Sequence, residues 1–260
     1  QSHYTVGLVG YTNAGKSTLF NALTSGGAFA HAKLFATLST RIEKWDLGGG
    51  NAVLLFDTVG FIRNLPHHLV ASFRSTLEET ISAKLILIVL DSSDPHAGMQ
   101  LETVNATLDV IGAISQPRIL VLNKIDKLAD RRDLPVWLSH HPEAIPISAA
   151  AGEGLDELRD VVRTHYLGGV RQVDIALPMG DAARIMFIEK RMDVLDRQYH
   201  DSTAVLTVRV GRRQIDELLA RGGANLLIDN LQPHEAIKKL WDNGHAPAPP
   251  RVRPHEIHIG

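Results

Sequence analysis

The run Gly10-Tyr11-Thr12-Asn13-Ala14-Gly15-Lys16-Ser17 fits G-x-x-x-x-G-K-[ST], a pattern whose residue types suit one task. Its glycines let the backbone curl with N–H groups facing inward, and the following helix adds its positive end, so that phosphate is held. A lysine in this place reaches β- and γ-phosphates, and the serine hydroxyl holds Mg2+. The predicted cradle comprises Asn13, Ala14, Gly15, Lys16, Ser17 and Thr18. About forty residues on, Asp57-Thr58-Val59-Gly60 gives D-x-x-G. By itself that pattern is weak. At the end of an apolar strand and at this distance it reads as a carboxylate directed at the metal, Asp57, and a γ-phosphate sensor, the N–H of Gly60. Between the two motifs, Lys33-Leu34-Phe35-Ala36-Thr37-Leu38 lies where a nucleotide-sensing switch is expected. Thr37 would bind Mg2+ through its hydroxyl and γ-phosphate through its N–H, with Phe35 close by in the site. The plainer reading of Thr37 is a surface threonine.

Asn123-Lys124-Ile125-Asp126 then decides the base. An N-K-x-D after a parallel strand lets the Asp126 carboxylate accept from guanine N1–H and the exocyclic amine. Adenine offers no such pair of donors and would leave the carboxylate unsatisfied, which costs about 1–3 kcal/mol. Asn123 would tie this loop to the phosphate loop, and the Lys124 stem would cover the base plane. A later strand feeds Ser148-Ala149-Ala150, where the Ala149 N–H would meet guanine O6. The expected ligands are GTP or GDP with Mg2+. Lys16, Thr37 and Gly60 would do the catalytic work on the phosphates, and Ser17, Thr37 and Asp57 would hold the metal. An ATPase is the disfavoured base class. Phe61 stands where many small GTPases have a glutamine that orients water, and a phenyl ring cannot make that hydrogen bond. His67 and His68 follow nearby, and their simpler reading is the start of a helix after Pro66.

These residues need strands that end together and helices that leave from them. Val6 to Val9 reads as a strand, and the run through Leu19, Phe20, Ala22 and Leu23 as a helix that stops near Gly26-Gly27. Arg41 to Leu47 and Ala52 to Phe56, joined by Gly48-Gly49-Gly50-Asn51, read as a hairpin. Leu69 to Ser82 reads as an amphipathic helix and Leu101 to Ile111 as the next helix, and Leu85 to Leu90 is an apolar run suited to a central parallel strand. Arg118 to Leu122 and Ala144 to Ile147 are further strands, and Leu155, Leu158 and Val162 mark a closing helix. The pattern predicts an α/β P-loop GTPase domain over residues 1–167, with a mostly parallel sheet flanked by helices.

After Leu167-Gly168-Gly169 the pattern changes to β-α-β-β-α: Val173 to Leu177, Ala182 to Arg191, Asp193 to Tyr199, Thr203 to Val210 and Arg212 to Ala220. That order predicts a small two-layer α+β domain over 173–240, used for support or docking. Residues 241–260, rich in Ala and Pro, read as a flexible tail. The chain of 260 residues is 44% hydrophobic, has no cysteine and carries a formal charge of −2. A disulfide framework and a thiolate metal site are excluded, and a global positive field for nucleic acid is not indicated. No apolar run is long enough to span a membrane, so stable membrane insertion is not expected and the cytoplasm is.

The sequence resembles the HflX family of ribosome-associated translational GTPases. The resemblance rests on Gly10 to Asn21, on Leu34-Phe35-Ala36-Thr37-Leu38, and above all on Asp57-Thr58-Val59-Gly60-Phe61-Ile62-Arg63-Asn64-Leu65-Pro66-His67-His68-Leu69. It is firm over about 5–165 and weaker to about 230. It covers the GTPase and C-terminal domains. The N-terminal domain and helical linker of the family have no counterpart here, so full GTP binding without ribosome splitting is one expectation. The resemblance implies binding to the large ribosomal subunit, its RNA and protein, in ribosome splitting or rescue. The competing reading is a GTP-binding regulator of a protein or membrane partner. The family usually follows its A-T-L with Asp-Pro-Thr, whereas Ser39-Thr40-Arg41 stands here. In related GTPases an asparagine like Asn13 helps hold K+ beside the β/γ bridge. The alternative is that Asn13 only hydrogen-bonds within its loop.

Overall fold

The computed structural model describes residues 3–24, 41–57, 82–128, 133–222 and 225–242. It divides into two compact units, Gln1–Asp160 and Val161–Gly260. The first is built on a six-stranded sheet of β1 (Thr5–Gly10), β2 (Arg41–Gly48), β3 (Asn51–Asp57), β4 (Leu85–Asp91), β5 (Arg118–Asn123) and β6 (Ile145–Pro146), in the order β2-β3-β1-β4-β5-β6. The β2–β3 hairpin is antiparallel, and β1 is parallel to both β3 and β4. β5 in turn lies parallel to β4 and to β6. β4 is buried at every position except Asp91, which is what a strand with helices over both faces requires. Because β1, β3, β4, β5 and β6 run the same way, the loops after them gather at one edge. The phosphate loop, Asp57, Asn123 to Asp126 and Ser148 to Ala150 all lie at that edge.

Helix α1 (Lys16–Thr24) buries Leu19, Phe20 and Leu23, and α2 (Ala97–Val110) buries Leu101, Val104 and Leu108, each on one helical face. α2 begins earlier than its apolar period suggests. The Asp94 carboxylate accepts from the His96 N–H at 2.8 Å and from Gln100 Nε2 at 2.8 Å, fixing a turn ahead of the first apolar residue. Helix α3 (Asp133–His140) was not predicted; it buries no residue fully, so its apolar period is faint. β6 is shorter than Ala144 to Ile147, although the Ile147 N–H still donates to Leu122 O at 2.8 Å. Helix α4 (Leu155–Tyr166) follows. The predicted helix over Leu69 to Ser82 and the stop at Gly26-Gly27 lie outside the described residues.

The second unit is an antiparallel sheet of β7 (Val170–Pro178), β8 (Asp193–His200), β9 (Thr203–Gly211) and β10 (Leu227–Ile228), ordered β10-β7-β9-β8. Ala204, Leu206, Val208 and Val210 alternate inward and pack with Phe187 and Ile188 of α5 (Ala182–Arg191) and with Ile215 and Leu218 of α6 (Arg212–Leu219). The faces of α5 do not divide simply into apolar inside and charged outside. Met186 is 57% exposed, while Arg184 is buried, its charge met by Asp181 at 2.5 Å. β10 and α7 (Pro233–Ile237) complete the unit. Trp241, expected in the tail, donates its indole N–H to Gly169 O at 2.9 Å, and Asp242 pairs with Arg212 at 2.8 Å. Among the described residues no helix is long and apolar enough to cross a membrane.

Candidate functional site

The phosphate loop needs glycine at two places for different reasons. A Cβ on Gly10 would lie 2.3 Å from the Val89 carbonyl oxygen of the neighbouring strand. At Gly15 the backbone has φ +97°, and a Cβ would lie 2.3 Å from Asn123 Nδ2, so both conformation and space exclude a side chain. Asn13 takes a left-handed conformation at φ 66°, which asparagine tolerates better than most residues. Lys16, the first residue of α1, is 7% exposed and donates to the Gly10 and Tyr11 carbonyls at 3.2 Å each. Burial lowers its pKa, and the Asp57 carboxylate partly opposes that shift. The ammonium is thus held beside the loop, where an incoming phosphate would meet a poorly hydrated cation.

Ser17 and Asp57 meet across the site: the serine hydroxyl donates to Asp57 Oδ2 at 2.9 Å. Burial raises the Asp57 pKa, opposed by the Ser17 hydroxyl, Lys16 and Arg41. Asp57 Oδ1 is buried with no hydrogen-bond partner among the described residues. A buried carboxylate oxygen in that state fits a nearby cation or its water shell. No cluster of three or more His, Asp or Glu suited to a metal occurs among the described residues. A magnesium ion here would depend on hydroxyl, carboxylate and phosphate oxygens together.

The base-reading loop is locked to the phosphate loop by two side chains. Asn123 donates its Nδ2 to Ala14 O at 2.9 Å, and its Oδ1 accepts the Ala149 N–H at 3.0 Å. Lys124, left-handed at φ 64°, donates to Asn13 O at 2.6 Å and to Asp91 Oδ2 at 2.6 Å. Asp126 is exposed in the short 3-10 turn Ile125–Lys127. The cleft so formed has a volume of about 460 Å³, and its walls include Gly15 to Thr18, Lys124, Asp126, Ala149 and Ala150.

Two of the expected site residues make bonds within the protein. The Ala149 N–H, expected on guanine O6, donates to the buried carboxamide oxygen of Asn123. Ser148 is fully buried and is not part of the cleft wall. It accepts the Ala151 N–H at 3.1 Å and exchanges backbone bonds with Glu153, so it shapes the loop from behind. Phe35, Thr37, Gly60, Phe61, His67 and His68 lie outside the described residues.

Sequence reasoning also missed residues at the end of β4. Ser92 donates both its N–H and its hydroxyl to Asn123 O, at 2.9 and 2.7 Å, and Asp91 holds Lys124. The available signal was position: Asp91-Ser92-Ser93 ends a strand lying between the phosphate-loop strand and the base-reading strand. Lys127, also unpredicted, lines the cleft beside Asp126.

A family model described as a 50S ribosome-binding GTPase matches residues 5–124, and one described as the HflX C-terminal domain matches residues 133–227. The GTPase HflX of Magnetococcus marinus is 41% identical over 208 residues, 80% of this chain and 45% of that protein. That of Escherichia coli K12 is 37% identical over 215 residues, 82% of this chain and 50% of that protein. The chain spans about half the length of the curated relatives it matches. Among solved structures, a GTP-binding protein from the hyperthermophilic archaeon Sulfolobus solfataricus in complex with GDP is similar. Its TM-score is 0.51 at 31% identity, covering 62% of this chain and 51% of that one.

Proposed function

Because the chain belongs to the HflX family of GTPases, we propose that it is a guanine-nucleotide switch that hydrolyses GTP to GDP and phosphate, slowly on its own. It acts in the cytoplasm on the large ribosomal subunit, in ribosome splitting or rescue. The observation that carries the nucleotide half is the lock of Asn123 and Lys124 onto the carbonyls of Ala14 and Asn13. It sets a base reader and a phosphate cradle at the two ends of one cleft. The similar archaeal protein bound to GDP supports the same reading. The ribosomal half is supported by the description of the matching family as 50S ribosome-binding. Residues 1–167 form the GTPase domain in this proposal, and 173–240 a support or docking domain.

Lys16 meets the β- and γ-phosphates, and the N–H groups of the loop from Asn13 to Thr18 surround them. Asp126 reads guanine, and Thr37 and Gly60 would meet the γ-phosphate, with Phe35 among the nucleotide-binding residues. Ser17, Asp57 and Thr37 are the residues that would hold Mg2+, which supplies positive charge against the phosphate oxygens when bound. Phe61 cannot orient water, so charge neutralisation between the phosphates has to come from elsewhere. Asn13 would help hold K+ for that purpose. Turnover should then be faster in potassium than in sodium at matched ionic strength, and Asn13→Ala should erase the difference; equal rates in both salts for the native chain would remove the ion.

Co-sedimentation with isolated large ribosomal subunits tests the partner. Pelleting that increases with a non-hydrolysable GTP analogue is expected. Absence of pelleting with and without the analogue would move the assignment to a protein or membrane partner.

A further inference from the structure

Lys124 is held by more than the phosphate loop. Its ammonium donates at 2.6 Å to Asn13 O and at 2.6 Å to Asp91 Oδ2, and the two side chains of the pair are only 22% and 17% exposed. Asp91 is aimed in turn. Its other oxygen, Oδ1, accepts the Ser93 N–H at 3.0 Å and the Ser93 hydroxyl at 2.6 Å. The chain of contacts runs from the end of β4 through Asp91 to Lys124, and from Lys124 to the left-handed residue Asn13 in the phosphate loop. Ser92 fixes the Asn123 carbonyl from the same turn. A lysine stem with four rotatable bonds has no fixed place over a base plane unless its ammonium is anchored, and the Asn13 carbonyl alone supplies only a neutral acceptor. An ionised acceptor makes the shorter and stronger bond.

We propose that Asp91 is a positioning residue for guanine-nucleotide binding: it holds the Lys124 stem against the base and, through the shared ammonium, fixes the carbonyl of Asn13 at the rim of the phosphate cradle. The inference rests on the guanine-nucleotide reading of the cleft. It predicts a loss that is the same for GDP and for GTP, because the anchored group lies at the base end and not at the γ-phosphate. Uniform binding of that kind affects affinity and leaves the ratio between the two nucleotides unchanged.

The test is the dissociation rate of fluorescent GDP and of a fluorescent non-hydrolysable GTP analogue from the native chain, Asp91→Asn, Lys124→Met and the double variant. Native protein that binds neither nucleotide would refute the guanine reading itself. Given binding, Asp91→Asn should release both nucleotides about tenfold faster, and the double variant should be no faster than Lys124→Met alone. Ser93→Ala, which leaves the ion pair in place and removes only the hydroxyl that aims Asp91, should give a smaller acceleration in the same direction. It also serves if Asp91→Asn does not fold. A native release rate in Asp91→Asn, or in Ser93→Ala where the former is unfolded, would overturn the role of Asp91, as would additive effects of Asp91→Asn and Lys124→Met.

Discussion

Asp57 and Lys16 carry opposite charges into the same partly dehydrated corner, and burial shifts both pKa values toward the neutral forms. The signs of the consequences differ. A carboxyl whose folded pKa is raised binds its proton more tightly in the native chain than in the unfolded one. Its contribution to stability is therefore present below the unfolded pKa and declines as pH rises through the folded value. Lys16 is shifted downward, so its contribution grows as pH rises from its folded pKa toward 10.5. Thermal melts of nucleotide-free, metal-free protein between about pH 4 and 7 should show Asp57→Asn gaining on the native chain as pH rises. A constant difference across that range would show that burial does not govern Asp57. With Mg2+ and GDP present the order should reverse at neutral pH, since the orphan Oδ1 then has a cation to face.

Strand ends do most of the assembly at the next scale. Asn123 is the last residue of β5, yet it satisfies the loop after β1 and the loop after β6 with one carboxamide. Asn123→Ala would leave Ala14 O and the Ala149 N–H without that partner in a buried place, at a cost of about 2–3 kcal/mol. Urea unfolding should show that loss, accompanied by weak nucleotide binding; a change under 1 kcal/mol by the same method would mean the loops hold each other by other means. The strands were legible because Leu85 to Leu90 and Ile119 to Leu122 are apolar without interruption. The phosphate loop and the N-K-x-D were legible because their chemistry demands those residues at fixed spacing. What escaped notice depends on neighbours far away in sequence. The burial of Arg184 is the exception, since its partner Asp181 lies only three residues before it. The bond from the Ala149 N–H to Asn123 follows from β6 lying beside β5, and the Asp91–Lys124 pair from β4 lying between β1 and β5.

The whole chain combines a nucleotide-binding sheet with a second unit that has its own core around Leu206, Val208, Ile215 and Ile188. Leu206→Ala in that core should cost about 2–5 kcal/mol in denaturant unfolding and leave GDP affinity within twofold or so of the native value. A large loss of affinity would tie the second unit to the nucleotide cleft. The central claim, that the cleft reads guanine, turns on Asp126 at its wall. Competition among GTP, ATP and XTP for the native chain and for Asp126→Asn addresses it most directly. Xanthine carries a carbonyl where guanine has its amine, so an amide at this position can donate where the carboxylate could only accept. The account predicts that GTP displaces a fluorescent guanine nucleotide best from the native chain and that Asp126→Asn prefers XTP. Unchanged GTP preference in Asp126→Asn, or ATP competing as well as GTP for the native chain, would contradict it.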